Sequence, residues 1–126
     1  HYEKLPTQFI KRIEFWDFAR SGYIFTHLKD QEYNFDYCPM TPSRSSSGFY
    51  DGGPAIHKQI SLQQFNTVQS TWNELESKTQ DHAAQASMGT YLLTEIMSGN
   101  HRSFLLEGSS QAAQQLSDLM KSWQKL

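Results

Sequence analysis

The chain has 126 residues, the size of one domain, and enough aromatic side chains to fill a core without staples. Its formal net charge is −2, with acids and bases mixed along the sequence, so it lacks the basic stripe of a nucleic-acid binder. No apolar run approaches membrane-spanning length, and the single cysteine, Cys38, excludes an internal disulfide and a cysteine-rich metal framework.

Residues 1–7 read as a frayed start, with Pro6 opposing early regular structure. Residues 8–19 are rich in β-branched and aromatic side chains and predict a strand. Phe9, Ile13 and Phe15 fall on one of its faces, and Ile10, Arg12, Glu14, Trp16 and Phe18 on the other. Both faces are partly apolar, so this strand is expected to be central or covered on both sides. Ser21-Gly22 marks a turn, and residues 23–28 predict a second strand. After a tight turn at Lys29-Asp30-Gln31, residues 32–38 alternate cleanly. Tyr33, Phe35 and Tyr37 point one way, and Asn34, Asp36 and Cys38 the other, as in a strand with one buried and one wetter face.

Residues 39–47 contain two prolines and a run of serines, too little apolar surface to order a segment, and predict a mobile loop inside the domain. Residues 48–57 offer one more short strand, interrupted by Asp51-Gly52-Gly53-Pro54. The most sharply defined stretch follows. Ser61 and Gln64 form a capping box, flanked by Ile60 and Phe65 as a hydrophobic staple. Phe65, Val68, Trp72 and Leu75 then recur at helical spacing and give the helix one apolar side.

Residues 79–89 read either as more helix or as a polar connection. Residues 91–98 and 102–107 flank Gly99-Asn100 and predict a hairpin. That turn sets Glu95 opposite Phe104 and Leu93 opposite Leu106, with Tyr91, Leu93, Met97, Phe104 and Leu106 on the core face. The competing reading is a helix over residues 83–97. The last segment is a second helix, capped at Ser109 or Ser110, with Ala112, Ala113, Leu116, Leu119, Met120, Trp123 and Leu126 as its apolar stripe.

The predicted fold is therefore α+β: a mainly antiparallel sheet of about five strands with two amphipathic helices packed on one face. The order of elements resembles that of small bacterial inhibitor, immunity and lipoprotein domains, as a pattern only. The chain starts at His1 rather than Met, which reads as processing or trimming. Abundant Ser and Gln favour an exported protein of the bacterial envelope or periplasm, with a cytoplasmic setting as the alternative.

No catalytic or cofactor motif stands out. His1, His27, His57, His82 and His101 fall in five separate segments with no metal-binding spacing, and read as unrelated surface or turn residues. Cys38 lacks a helix start or Gly-rich turn to lower its pKa, so it reads as a passive thiol. The acids Glu14, Asp17, Asp30, Glu32 and Asp36 read as solvated-face residues, and Asp51-Gly52-Gly53 as an ordinary turn.

The aromatic residues around the Ser-rich loop carry the functional expectation. Tyr33, Tyr37, Phe49 and Tyr50, with Asp36 and Asp51 beside them, are expected to form a partner-binding surface: aromatic anchors with an acidic rim. The partner is expected to be another protein, such as a basic toxin or enzyme, neutralised by this chain as an inhibitor or immunity protein. The alternative is an exported enzyme or metal protein whose site assembles from scattered His, Asp and Glu.

Overall fold

In the computed structural model, residues 8–41, 48 and 51–126 are described. Strand β1 spans Lys11–Trp16, β2 Gly22–His27, β3 Tyr33–Cys38 and β4 Ile56–Ile60. Helix α1 follows at Leu62–Ser77, then the two-residue strand β5 (His82–Ala83), β6 (Tyr91–Met97), β7 (Asn100–Leu106) and helix α2 (Gln111–Trp123). The chain folds as a single α+β domain. Its sheet has seven strands in the order β4-β3-β2-β1-β6-β7-β5, every neighbouring pair antiparallel.

Alternation along the strands explains the layering. Ile13 and Phe15 of β1, Phe25 of β2, Phe35 of β3 and Leu93 of β6 all point to one side. There they meet Phe65, Val68, Trp72 and Leu75 of α1 and Leu116, Met120 and Trp123 of α2 in one core. Both helices thus bury their apolar stripes on the same face of the sheet. Phe15, Phe25 and Trp123 form the centre, with ring centroids 4.9–6.0 Å apart. β1 lies between β2 and β6, the central position its two-sided apolar pattern predicts.

The helix starts follow the caps in the sequence. Gln64 N–H donates to Ser61 Oγ at 3.1 Å, and Ser61 N–H donates to Gln64 Oε1 at 2.8 Å. Ser110, rather than Ser109, caps α2 by accepting from Ala113 N–H at 3.1 Å. Ser61→Ala should lower stability by about 1 kcal/mol through the lost cap. A urea titration that leaves the unfolding midpoint unmoved would contradict it.

Several expectations need correction. The sheet has seven strands rather than about five. The additions are β5 and a β4 that runs through Ile60, beyond the 48–57 window. The first strand stops at Trp16, because Asp17 turns the chain: its Oδ1 accepts from both Ala19 N–H and Ser21 N–H at 2.9 Å. The hairpin forms, and the helix over 83–97 does not, but its register is shifted by two residues. The turn is Ser98-Gly99, so Leu93 faces Phe104 and Glu95 faces Arg102. This register gives the buried Glu95 carboxylate a guanidinium, where Phe104 would offer none. Met97 is consequently at the hairpin tip and partly exposed instead of in the core.

The loop expected over 39–47 falls mostly outside the described residues. Its first residues pack: Met40 N–H donates to Ser21 Oγ at 2.8 Å, and the Met40 carbonyl accepts from Gly52 N–H at 2.7 Å.

Candidate functional site

Two of the expected anchors lie inside the protein. Tyr33 and Tyr37 are 6% and 3% exposed and belong to the core face of β3. Tyr33 stacks on His27 at 4.4 Å and packs on Phe65 at 5.2 Å. Tyr37 packs on Tyr23 at 4.8 Å and donates its hydroxyl to the Gly52 carbonyl at 2.6 Å. The alternation placed both rings on the buried side, so they build the core and cannot touch a partner directly. Phe49 and Tyr50 lie outside the described residues. Asp51 is exposed and is held in a turn, its Oδ1 accepting from Gly53 N–H at 2.9 Å.

Asp36 lies on the opposite face of the sheet, which neither helix covers. It is 7% exposed rather than solvated. Across the register it faces His57, whose Nδ1 lies 2.6 Å from Asp36 Oδ1. A carboxylate only accepts, so Nδ1 is the donor in this contact, and the His57 side chain is 66% exposed. The same cross-strand row continues through Ile24 to Glu14. Glu14 Oε1 accepts from Trp16 Nε1 at 2.8 Å. The Trp16 ring lies flat over Gly22, where even a Cβ would approach it to 2.6 Å. Glycine at this position therefore lets an indole cover the helix-free face.

From Trp16 the surface opens into a groove of about 780 Å³. Trp16, Leu92 and Leu105 supply its apolar lining, with Ser87 and Thr90 beside them. Its borders are two turns. The first is the Asp17–Arg20 turn, which presents Phe18; the second lies before β6 and presents Met88. Phe18 is 62% exposed and Met88 97%. Both turns are tied down. Asp17 accepts the two N–H bonds described above, and Arg20 N–H donates to the Asp17 carbonyl at 3.0 Å. Phe18 leans edge-on against Tyr91 with centroids 6.2 Å apart. On the other side, Ser87 and Thr90 exchange backbone and hydroxyl hydrogen bonds. A side chain at Gly108 would collide with the Gly89 carbonyl, so that connection is wedged against the start of α2.

The 51–53 turn belongs to the same end of the sheet. Gly52 sits against Ser21 and Pro39, beside the start of β2 and the Asp17–Arg20 turn. The 51–53 turn and the groove thus lie at one end of the sheet, with Phe18 and Met88 as the exposed large apolar side chains beside them. Phe18 was assigned to the first strand, and Met88 to a segment read either as more helix or as a polar connection. The available signals were an Asp at position 17 able to close a turn on itself, and one isolated large apolar residue before Gly89.

Among the described residues no group of three or more His, Cys, Asp or Glu side chains is arranged to hold a metal ion. His27 and His82 are spent on packing: His82 stacks on Phe104 at 4.5 Å, with Nε2 3.0 Å from the Leu75 carbonyl. Cys38 is buried. No described helix is long and apolar enough to cross a membrane.

The fold and the site thus define a single-domain α+β protein with one helix-free sheet face and a braced apolar groove at its end. No family model matches the chain, and neither a curated protein nor a solved structure gives a significant match.

Proposed function

We propose that this protein is a non-enzymatic binding module that engages another protein through the groove and the adjoining end of the helix-free face. The observation that carries this reading is the pair Phe18 and Met88. Folding normally hides side chains of this size, yet both stand in solvent on stiff turns either side of an apolar floor. Large apolar anchors held in place lose little freedom on binding, which is what makes a few residues dominate an interface. An inhibitor or immunity role is the concrete form of the proposal, since blocking a toxin or enzyme needs only a rigid complementary surface. The composition that favours an envelope setting goes with it.

Asp36 no longer supports an acidic rim, because its charge is buried against His57. That pair favours a second reading, an enzyme in which Asp36 orients His57 and Nε2 acts as a base. A reaction abolished by His57→Ala, in a protein that binds no partner, would establish it.

The test of the main proposal is capture of the partner from the native cell, followed by alanine substitution at Phe18, Met88, Phe49 and Tyr50. Phe18→Ala and Met88→Ala should each weaken the partner tenfold or more, about 1.4 kcal/mol. If all four variants stay folded and bind within twofold of the parent, the surface is elsewhere.

A further inference from the structure

The chemistry of the groove names the kind of segment it accepts, an inference that rests on the protein-binding reading above. Among the described residues that line it, two are ionisable, Asp17 and Arg20. They are not equivalent. Asp17 turns inward, Oδ1 accepting from Ala19 N–H and Ser21 N–H, so this carboxylate is occupied in holding the turn. Arg20 is exposed, at a φ of +66°, and its guanidinium makes no ion pair among the described residues. An arriving group meets an apolar wall of Trp16, Leu92 and Leu105, an anchor on each side, and one uncommitted guanidinium at the rim. A guanidinium presents a planar fork of donors that matches a carboxylate better than any other side chain.

We propose that the groove takes a segment of the protein partner in which a large apolar side chain stands next to an acidic residue. The apolar side chain lies over Trp16 between Phe18 and Met88, and the carboxylate pairs with Arg20. Arg20 thus offers a positive group at the rim of a groove in a chain whose formal charge is −2. Specificity in this case comes from one residue at the site rather than from the overall field. The volume is in the range of sites that hold a few side-chain-sized groups, roughly 300–1,000 Å³.

The test is selection of phage-displayed random heptapeptides on the purified protein and on its Arg20→Glu and Phe18→Ala variants. Thermal unfolding of each variant serves as the control for folding. On the parent, enriched peptides should pair Phe, Leu, Trp or Met with a neighbouring Asp or Glu. A synthetic copy of one should shift the amide resonances of Thr90 and Leu92, and should bind each variant at least tenfold more weakly. Selection on Arg20→Glu should replace the acid with Lys or Arg. Enrichment without an acidic preference, or peptides indifferent to Arg20→Glu, overturns the inference, as does a selection that enriches nothing. Binding to anionic lipid vesicles that Phe18→Ala abolishes, with no peptide enriched, overturns it in favour of a lipid surface. If a captured native partner is weakened by Phe18→Ala and untouched by Arg20→Glu, this inference fails while the protein-binding reading stands.

Discussion

Trp72→Ala should be among the most damaging substitutions in the protein, costing about 3–5 kcal/mol. The side chain is fully buried on the sheet-facing side of α1. It meets Phe104 edge-on at 5.2 Å, and the Arg102 guanidinium lies 4.9 Å from its ring centroid. Truncation would open a cavity between α1 and β7 that a close-packed sheet cannot collapse to fill. Against a typical domain stability of about 5–15 kcal/mol, the loss would be visible in any urea titration. A variant with the parent's midpoint would show that the α1 face is wrongly placed. Trp72→Phe should cost less than Trp72→Ala. It keeps most of the ring and removes an indole N–H that is buried with no hydrogen-bond partner among the described residues.

The second large effect belongs to the polar cluster beneath α1. Glu95 is 5% exposed, yet its surroundings favour the charged form. Burial pushes its pKa up; the hydrogen bonds from Arg102 and Gln69 and the charges of Arg102 and Lys11 outweigh that and hold it below the usual carboxylate range. Arg102 Nη2 donates to Glu95 Oε1 at 2.7 Å, and Gln69 Nε2 donates to Oε2 at 2.8 Å. Through Nη1, Arg102 also reaches both oxygens of Glu76 at 3.0 Å, which ties the hairpin to the helix.

Removing one partner of a fully buried pair typically costs about 3–5 kcal/mol. Arg102 is partly exposed and Lys11 stays 3.8 Å from the carboxylate, so Arg102→Ala should cost less, about 2–3 kcal/mol. The pH dependence has a fixed sign. A carboxylate whose folded pKa is depressed contributes stability above its unfolded pKa and loses it as pH falls through the folded value. The gap between parent and Arg102→Ala should therefore be full at neutral pH and shrink below the ordinary carboxylate range. Denaturant titrations at neutral and strongly acidic pH would measure this; a gap that widens on acidification would refute the assignment to Glu95.

How much of this was readable beforehand depends on the range over which each signal acts. The capping box at Ser61–Gln64, the apolar stripe of α1 and the common face of Tyr33, Phe35 and Tyr37 are local, and the structure reproduces all three; the wetter face expected of β3 is not, since Asp36 and Cys38 are buried. The two-residue slip of the hairpin was not readable. It is decided by Arg102 reaching Glu95, Glu76 and Trp72 together, and two of those lie on a helix that the local sequence cannot place. The candidate site residues divide in the same way. Tyr33 and Tyr37 were correctly given a common face, but which face carried the helices was a separate matter, and it turned them from candidate anchors into core. Phe18 was placed with Trp16 on the face opposite Ile13 and Phe15, whereas Met88 became conspicuous only when tertiary structure left it outside. Aromatic content alone cannot tell a filler of the core from a side chain held in solvent.

The two ends of the sheet bear on how the protein behaves at high concentration. A sheet of seven strands closed into no barrel has two borders, β4 and β5, and an unpaired strand border is a template for fibre growth. Here β5 covers only Leu105 and Leu106 of one border, and Asn100, His101, Arg102 and Ser103 of β7 continue it with exposed polar side chains. The other carries exposed His57, Lys58 and Gln59 along its middle and runs through Ile60 into the capped start of α1. A lysine on such a border must be desolvated before another strand can pair there. The borders thus oppose self-assembly into stacked sheets, and the exposed apolar side chains at the groove can serve recognition without the sheet itself recruiting copies of the chain.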